Sequence, residues 1–162
     1  MFFVVHHATR AVHIAGITTN PDGAFMAQVA RNLSALDDGF LKDMRHLIID
    51  RDTKFTVQFR SILNAAGVNV VITCFQAPNM NAIAERWVLS VKSECINNLI
   101  LFGEHSLRRA LREYGAHFHG ERPHQGIGNE LVHPESGERS ASGPVVETER
   151  LGGLLRSYSR AA

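Results

Sequence analysis

The feature that most constrains this chain is an alternation of strand-like and helix-like segments. Residues 46–50 (HLIID) form a short, mainly apolar run that ends in a carboxylate, and residues 56–66 have the apolar spacing of a helix. Residues 68–73 are a second apolar run, and residues 82–99 are again helix-like. Strands that alternate with helices pair in parallel and are covered by helices on their faces. The sequence therefore predicts an α/β fold in which 46–50 is a buried strand.

The segments on either side predict a hairpin and two more helices. The hairpin would pair residues 2–5 with 11–17, which are rich in apolar and β-branched side chains. One helix would begin at Asn20, as its N-cap, and run to about residue 33. The last would begin at the cap Ser106 and reach about residue 119, with these apolar side chains on one face: Leu107, Ala110, Leu111, Tyr114 and Phe118.

Composition fits a globular chain and gives little sign of a partner. Of the 162 residues, 44% are hydrophobic and 20% are charged, which is enough to form a sizeable core. No apolar run approaches the ~18 residues that span a bilayer, and the first residues lack the pattern of a signal peptide. We therefore expect a cytoplasmic protein that does not bind membranes, with Cys74 and Cys95 reduced.

The charge distribution leaves two interpretations open. The net charge of +1 is not typical of a nucleic-acid-binding protein. Arginines nevertheless cluster late in the chain, at positions 108, 109, 112 and 122. They could form either a phosphate-binding patch or the solvated face of a helix. From residue 134 the chain is rich in Glu, Ser, Gly and Pro, so we expect a core domain over 1–133 and a flexible tail over 134–162.

Three residues are candidates for one site. Asp50 ends a predicted strand, where open α/β sheets place their chemistry. Glu85 follows it by 85 − 50 = 35 positions and lies beside the apolar stripe of its helix. Lys92 follows Glu85 by 92 − 85 = 7 residues, so the two side chains point the same way about 10 Å apart. The alternative is that Asp50 caps the next turn and Glu85 is a solvated helix residue.

These residues carry a resemblance to a known family. Asp50, the segment PNMNAIAERWVLSVK at 78–92, and the segment HFHGERPHQGIGN at 117–129 together resemble the Asp, Asp, Glu catalytic core of insertion-sequence transposases and retroviral integrases. The segment FFVVHHATRAVHIAGIT at 2–18 resembles two of the family's strands, so the likeness covers about residues 2–134. It implies a ribonuclease-H-like mixed sheet flanked by helices.

The resemblance also implies an activity and roles for individual residues. The family joins DNA by metal-dependent phosphoryl transfer, so transposon ends and target DNA would be the partners and Mg²⁺ or Mn²⁺ the cofactor. Asp50 and Glu85 match the second and third catalytic carboxylates and would hold the metal. The residues expected to contact DNA are Asn79, Asn81, Arg86, Lys92, Arg109 and Arg122.

The chain also departs from the family pattern. No Asp or Glu precedes Asp22, whereas the family's first carboxylate lies on a central strand upstream of the part that 2–18 resembles. We therefore expect a truncated transposase that lacks its first strand, binds metal weakly and is catalytically defective. Alternatives are a non-catalytic remnant that binds DNA, itself or an intact transposase, and a ribonuclease-H-like nuclease.

Overall fold

The computed structural model describes residues 1–74, 78–134 and 143–161. Helices and short strands are mixed along the chain, so the α/β class is confirmed. Two compact units are present: the first contains Met1–Val4 and His13–Ala84, and the second contains Val5–Val12 and Glu85–Ala162. The tip of the amino-terminal hairpin therefore belongs to the second unit.

Short strands form two-stranded sheets only, within the residues that the structure describes. The strands are β1 (Phe2–Val5), β2 (Val12–Gly16), β3 (His46–Ile49), β4 (Asn69–Ile72), β5 (Val145–Arg150) and β6 (Leu155–Arg160). β1 pairs with β2, β3 with β4, and β5 with β6. β3 and β4 are parallel, as predicted, with His46 beside Asn69 and Ile49 beside Ile72. A ribonuclease-H-like sheet stays a prediction.

The first unit has its core between two helices and β3. The α-helices among the described residues are α1 (Gly23–Leu33), α2 (Val57–Ala65), α3 (Ala82–Glu94) and α4 (Gly103–Gly120). The core residues that are fully buried include Met26, Leu33, Phe59 and Leu63. Phe59 also meets the ring of Phe2 edge-on at 6.3 Å between centroids. The helical members of this core lie at helical spacing within α1 and α2, and for α2 the sequence predicted this spacing.

Two details of the first unit differ from the sequence predictions. The N-cap of α1 is Asp22, not Asn20: the Asp22 carboxylate accepts the Phe25 N–H at 2.8 Å. Asn20 is held instead in a turn, where its backbone N–H donates to the Thr18 hydroxyl at 3.0 Å. β3 is also not buried on both faces. Successive side chains of a strand point to opposite sides, so the core covers Leu47 and Ile49 while Ile48 stays 43% exposed.

The second unit is built around aromatic contacts between α3 and α4. The Trp87 ring lies 5.3 Å from that of Tyr114 and 4.7 Å from that of Phe118, measured between centroids. All three side chains are buried. The apolar face predicted for the last helix therefore faces the core, apart from Leu107, which is half-buried.

The ends of these two helices differ from the prediction. α4 begins at Gly103, because a φ of +72° there lets the chain turn into the helix three residues before Ser106. The Ser106 hydroxyl donates to the Gly103 carbonyl at 2.9 Å, inside the first turn. α3 ends at Glu94, and a separate 3₁₀ turn, Ile96–Asn98, follows it.

The last part of the chain contains a hairpin within the segment that we expected to be a flexible tail. β5 and β6 form an antiparallel hairpin whose only buried residue among those described is Leu155. Arg150 holds it against α4 through ion pairs of 2.6 Å to Glu121 and 3.0 Å to Glu113. Ion pairs to residues distant in the sequence thus contact a segment that has few buried apolar side chains, and flexibility over 134–162 stays a prediction. Residues 135–142 lie outside the described residues, and a domain boundary at 134 stays a prediction.

The helices also bear on membrane spanning. In the parts of the chain that the structure describes, no helix is long and apolar enough to cross a bilayer.

Candidate functional site

Asp50 lies directly after β3, exposed, in a turn that already uses its carboxylate. Asp50 Oδ1 accepts the backbone N–H of Asp52 at 3.1 Å. Lys54 Nζ lies 3.8 Å from the same oxygen and 2.6 Å from Asp52 Oδ2. The hydrogen bond from the Lys54 side chain, followed by the one from its backbone, holds the pKa of Asp52 below its ordinary value. Asp50 thus does stabilise the turn, as the alternative interpretation proposed, while remaining accessible to solvent.

The two asparagines precede α3 and belong to the first unit. Asn79 is exposed in a 3₁₀ turn, Pro78–Met80, and Asn81 is half-buried just before the helix. Residues 75–77, the start of this loop, lie outside the described residues. An exposed amide can donate to and accept from a nucleic acid, so the position of Asn79 suits the role that the resemblance implies.

Glu85 and Lys92 lie on the exposed face of α3. Trp87 and Val91 of the same helix are buried, whereas Glu85, Arg86 and Lys92 are exposed. The exposure of Glu85 agrees with a position beside the apolar stripe. Within the described residues none of these three charged side chains has an ion pair, so they are free to meet a ligand. Asp50 belongs to the first unit and Glu85 to the second.

Arg122 and Arg109 have very different surroundings, although the sequence suggested the same role for both. Arg122 Nη2 pairs with Glu94 Oε1 at 2.9 Å, and its Nη1 donates to the Tyr114 hydroxyl at 3.3 Å. That hydroxyl donates to Glu94 Oε2 at 2.9 Å, so Arg122, Tyr114 and Glu94 form a closed hydrogen-bonded triad. Arg109 is exposed on α4 and has no ion pair among the described residues. No sequence pattern indicated the Glu94 contact, because its partners are 20 residues or more away.

The Tyr114 hydroxyl stays protonated in this triad. Burial and the neighbouring Glu94 carboxylate raise the pKa of Tyr114 far above its ordinary value. A protonated hydroxyl can donate to Glu94 while it accepts from Arg122. All three side chains are therefore hydrogen-bonded, and the triad ties the end of α3 to α4.

A group of histidines joins α4 to the hairpin tip. The Val12 N–H donates to His119 Nε2 at 2.9 Å, so this nitrogen must be unprotonated. The His133 ring lies 4.8 Å from that of His119, and His124 Nε2 donates to the Phe118 carbonyl at 2.7 Å. Burial, with repulsion from His133 and His124, lowers the pKa of His119 to about 4. His119 and His124 are half-buried and His133 is exposed, which their spacing in the sequence does not reveal.

Glu121 is the centre of a second polar group at the end of α4. It accepts from Arg150, from His117 Nδ1 at 3.0 Å and from the Ser157 hydroxyl at 2.8 Å. Burial raises the pKa of Glu121, but the hydrogen bonds from these partners outweigh it and the net shift is downward. The carboxylate is thus ionised and fully occupied, which makes it a structural anchor for the β5–β6 hairpin.

The donor set suits a hard cation only in part. Carboxylate oxygens such as those of Asp50 and Glu85 are what Mg²⁺ prefers. However, the described residues contain no group of three or more His, Cys, Asp or Glu side chains that could hold a metal.

Comparison with known protein families bears on the helices α3 and α4. A family model described as an integrase core domain matches residues 66–130. The matched segment contains both helices, and so Glu85, Lys92, Arg109 and Arg122, but it does not reach Asp50. Comparisons with curated proteins and with solved structures found no match.

Proposed function

We propose that this chain acts on DNA as part of the catalytic core of an insertion-sequence transposase or integrase. The observation that carries this proposal is the integrase-core match over residues 66–130, which includes the exposed face of α3 with Glu85 and Lys92. The match indicates DNA integration or transposition in general terms. The metal, the substrate ends and the individual roles below are proposals.

A ribonuclease-H-like arrangement is the fold that fits this function. The parallel pair β3 and β4, with helices α1 and α2 in the same unit, supports it. Asp50 follows the carboxyl end of β3, where α/β folds collect catalytic groups. The strand that would carry the family's first carboxylate stays a prediction of the resemblance.

The chemistry would be an in-line displacement at a DNA phosphodiester. Asp50 and Glu85 would hold the divalent metal, which stabilises the entering and leaving oxygens when bound. Lys92 and Arg86, exposed on α3, would neutralise phosphates, with Arg109 adding charge from α4 and Asn79 and Asn81 approaching the DNA from their loop. Arg122 stays a predicted DNA contact, but Glu94 already matches its charge, so its contribution should be smaller than that of Arg109.

We expect the 162-residue chain, tested alone, to bind DNA and metal without joining DNA strands. Two carboxylates cannot hold two ions in a fixed clamp, and the described residues offer no larger donor group. In that case the chain tested alone would occupy transposon ends, or associate with itself or with an intact transposase.

A strand-transfer assay tests the catalytic part. The purified chain is incubated with a labelled short duplex, a target plasmid and either Mg²⁺ or Mn²⁺. We expect no joined product above the level of the Asp50→Asn variant. Product that requires metal and disappears in Asp50→Asn would show that the chain is an active transferase and that its donor set is sufficient.

DNA binding is tested by the salt dependence of affinity for the same duplex. Each phosphate that the protein no longer neutralises should reduce the slope of log K against log salt by ~0.9. The double variant Lys92→Ala, Arg109→Ala should therefore lower the slope by about 2. Arg108→Ala is the matched control, because Arg108 is also exposed on α4 but pairs with Glu104 at 2.6 Å. An unchanged slope in the double variant would mean that these side chains are only solvated.

A further inference from the structure

The turn after β3 contains a positively charged side chain, that of Lys54. Lys54 Nζ lies between two carboxylates, 2.6 Å from Asp52 Oδ2 and 3.8 Å from Asp50 Oδ1. The side chain of Lys54 is only 25% exposed, whereas those of Asp50 and Asp52 are 48% and 47% exposed. The lysine is thus the more enclosed member of the group.

Several contacts keep Lys54 in this position. Its backbone N–H donates to Asp52 Oδ1 at 2.9 Å, which fixes the chain of Lys54 next to the carboxylate. Its ammonium also lies 4.7 Å from the centre of the Phe55 ring, close enough for a cation–π contact. An arrangement fixed by the backbone loses less entropy on pairing than two mobile surface side chains would.

An ammonium next to a carboxylate affects how that carboxylate meets another cation. It offsets the negative charge that would attract a divalent ion, and it occupies space beside the ligand oxygen. A metal that approaches Asp50 Oδ1 must either displace Lys54 or bind close to a like charge. Both cost free energy.

We propose that Lys54 is an internal counter-ion that competes with a divalent metal for Asp50. The proposal rests on the function proposed above, in which Asp50 is a metal ligand. It assigns a role to Lys54 that the resemblance did not suggest, and it predicts that metal affinity at this turn is limited by a cation of the chain itself. The lysine must leave, or turn aside, when the metal binds.

The test is Mn²⁺ binding by the whole chain, followed by electron paramagnetic resonance of the free ion. Lys54→Met should bind Mn²⁺ about fivefold more tightly than the unmodified chain, because one positive charge near the ligand is removed from a solvent-exposed turn. Lys42→Met is the matched control: Lys42 is exposed in the same unit and has no ion pair within the described residues. It should leave the affinity unchanged.

A second variant shows whether the tighter Mn²⁺ binding depends on Asp50. The double variant Lys54→Met, Asp50→Asn should lose the tighter binding, and circular dichroism should show that each variant is folded. If Lys54→Met binds no more tightly than Lys42→Met while Asp50→Asn weakens binding, the competition is wrong but Asp50 remains a ligand. If no variant binds Mn²⁺, both the competition and the metal-binding role of Asp50 are wrong.

Discussion

At the end of α4 the charged side chains form ion pairs and hydrogen bonds with one another, whereas on the exposed face of α3 they face solvent. Arg122, Glu94 and Tyr114 form a closed triad, and Glu121 accepts from three partners. Glu85 and Lys92 have no ion pair among the described residues. Both regions lie in the second unit and both contain the residue types expected of a DNA-binding surface.

The difference shows that the number of charged residues in a segment does not measure the charge it can offer to a ligand. A guanidinium that is paired and half-buried contributes to folding, and a phosphate would have to compete with its carboxylate. An unpaired and exposed ammonium contributes little to folding and can neutralise a phosphate without first leaving a carboxylate. Substitutions at the end of α4 should therefore mainly change stability, whereas substitutions on the exposed face of α3 should mainly change DNA binding.

The largest effect should come from Tyr114, which is fully buried and belongs to the triad with Arg122 and Glu94. Tyr114→Ala should lower the free energy of unfolding by about 3–5 kcal/mol, since a large cavity forms and Glu94 loses a donor. Leu89→Ala, on the α3 face and 68% exposed, should change it by no more than about 0.5 kcal/mol. Urea unfolding of both variants measures this. Equal decreases would mean that the two regions do not differ in packing.

A smaller effect should come from pH, through His119. Because its pKa is about 4 in the folded chain and about 6.5 when exposed, the unfolded state binds more protons between these values. Neutral His119 therefore contributes fully to stability above about pH 6.5. Stability should fall by roughly 2 kcal/mol as pH drops to 4, less than the full pKa shift implies, because the side chain is only half-buried and solvent screens its charge. His119→Gln, which can still accept from Val12 but does not titrate here, is the control. An equally steep fall in this variant would assign the effect to other groups.

The smallest effect should come from the two arginines. Arg122→Ala should cost about 1 kcal/mol of stability, because Glu94 and the Tyr114 hydroxyl each lose a partner. Arg109→Ala should cost less than about 0.5 kcal/mol and should instead weaken DNA binding. Thermal unfolding compares the stability of the two variants, and a binding assay compares their affinity for the DNA duplex. The reverse result would show that Arg122 leaves its triad to bind DNA.

The elements of the fold that depend on local spacing could be predicted from the sequence. The α2 segment is an example, because its apolar positions are at helical spacing and Gly67 stops it with a φ of +83°. The cap of α1 could not be decided in the same way. Asn20 and Asp22 are both good caps, and only the folded chain shows that Asp22 accepts the Phe25 N–H.

The β5–β6 hairpin could not be predicted, because its sequence has no apolar alternation. Its position depends on Arg150, which reaches Glu121 and Glu113 at sequence separations of 29 and 37. The same limit applies to the site. Spacing on one helix predicted that Glu85 would be exposed, but the pairing of Arg122 with Glu94, at a separation of 122 − 94 = 28 positions, depends on the folded chain.

The bond between Val12 and His119 also has a consequence for the order of events during synthesis. Its two residues are separated by 107 positions, so at the usual ~5–20 residues per second the ribosome needs about 5–20 seconds to reach the second after the first. Helices α1 and α2 are synthesised within that interval and can already contact each other. The tip of the first hairpin must wait for α4, so it becomes fixed later than helices that follow it in the chain.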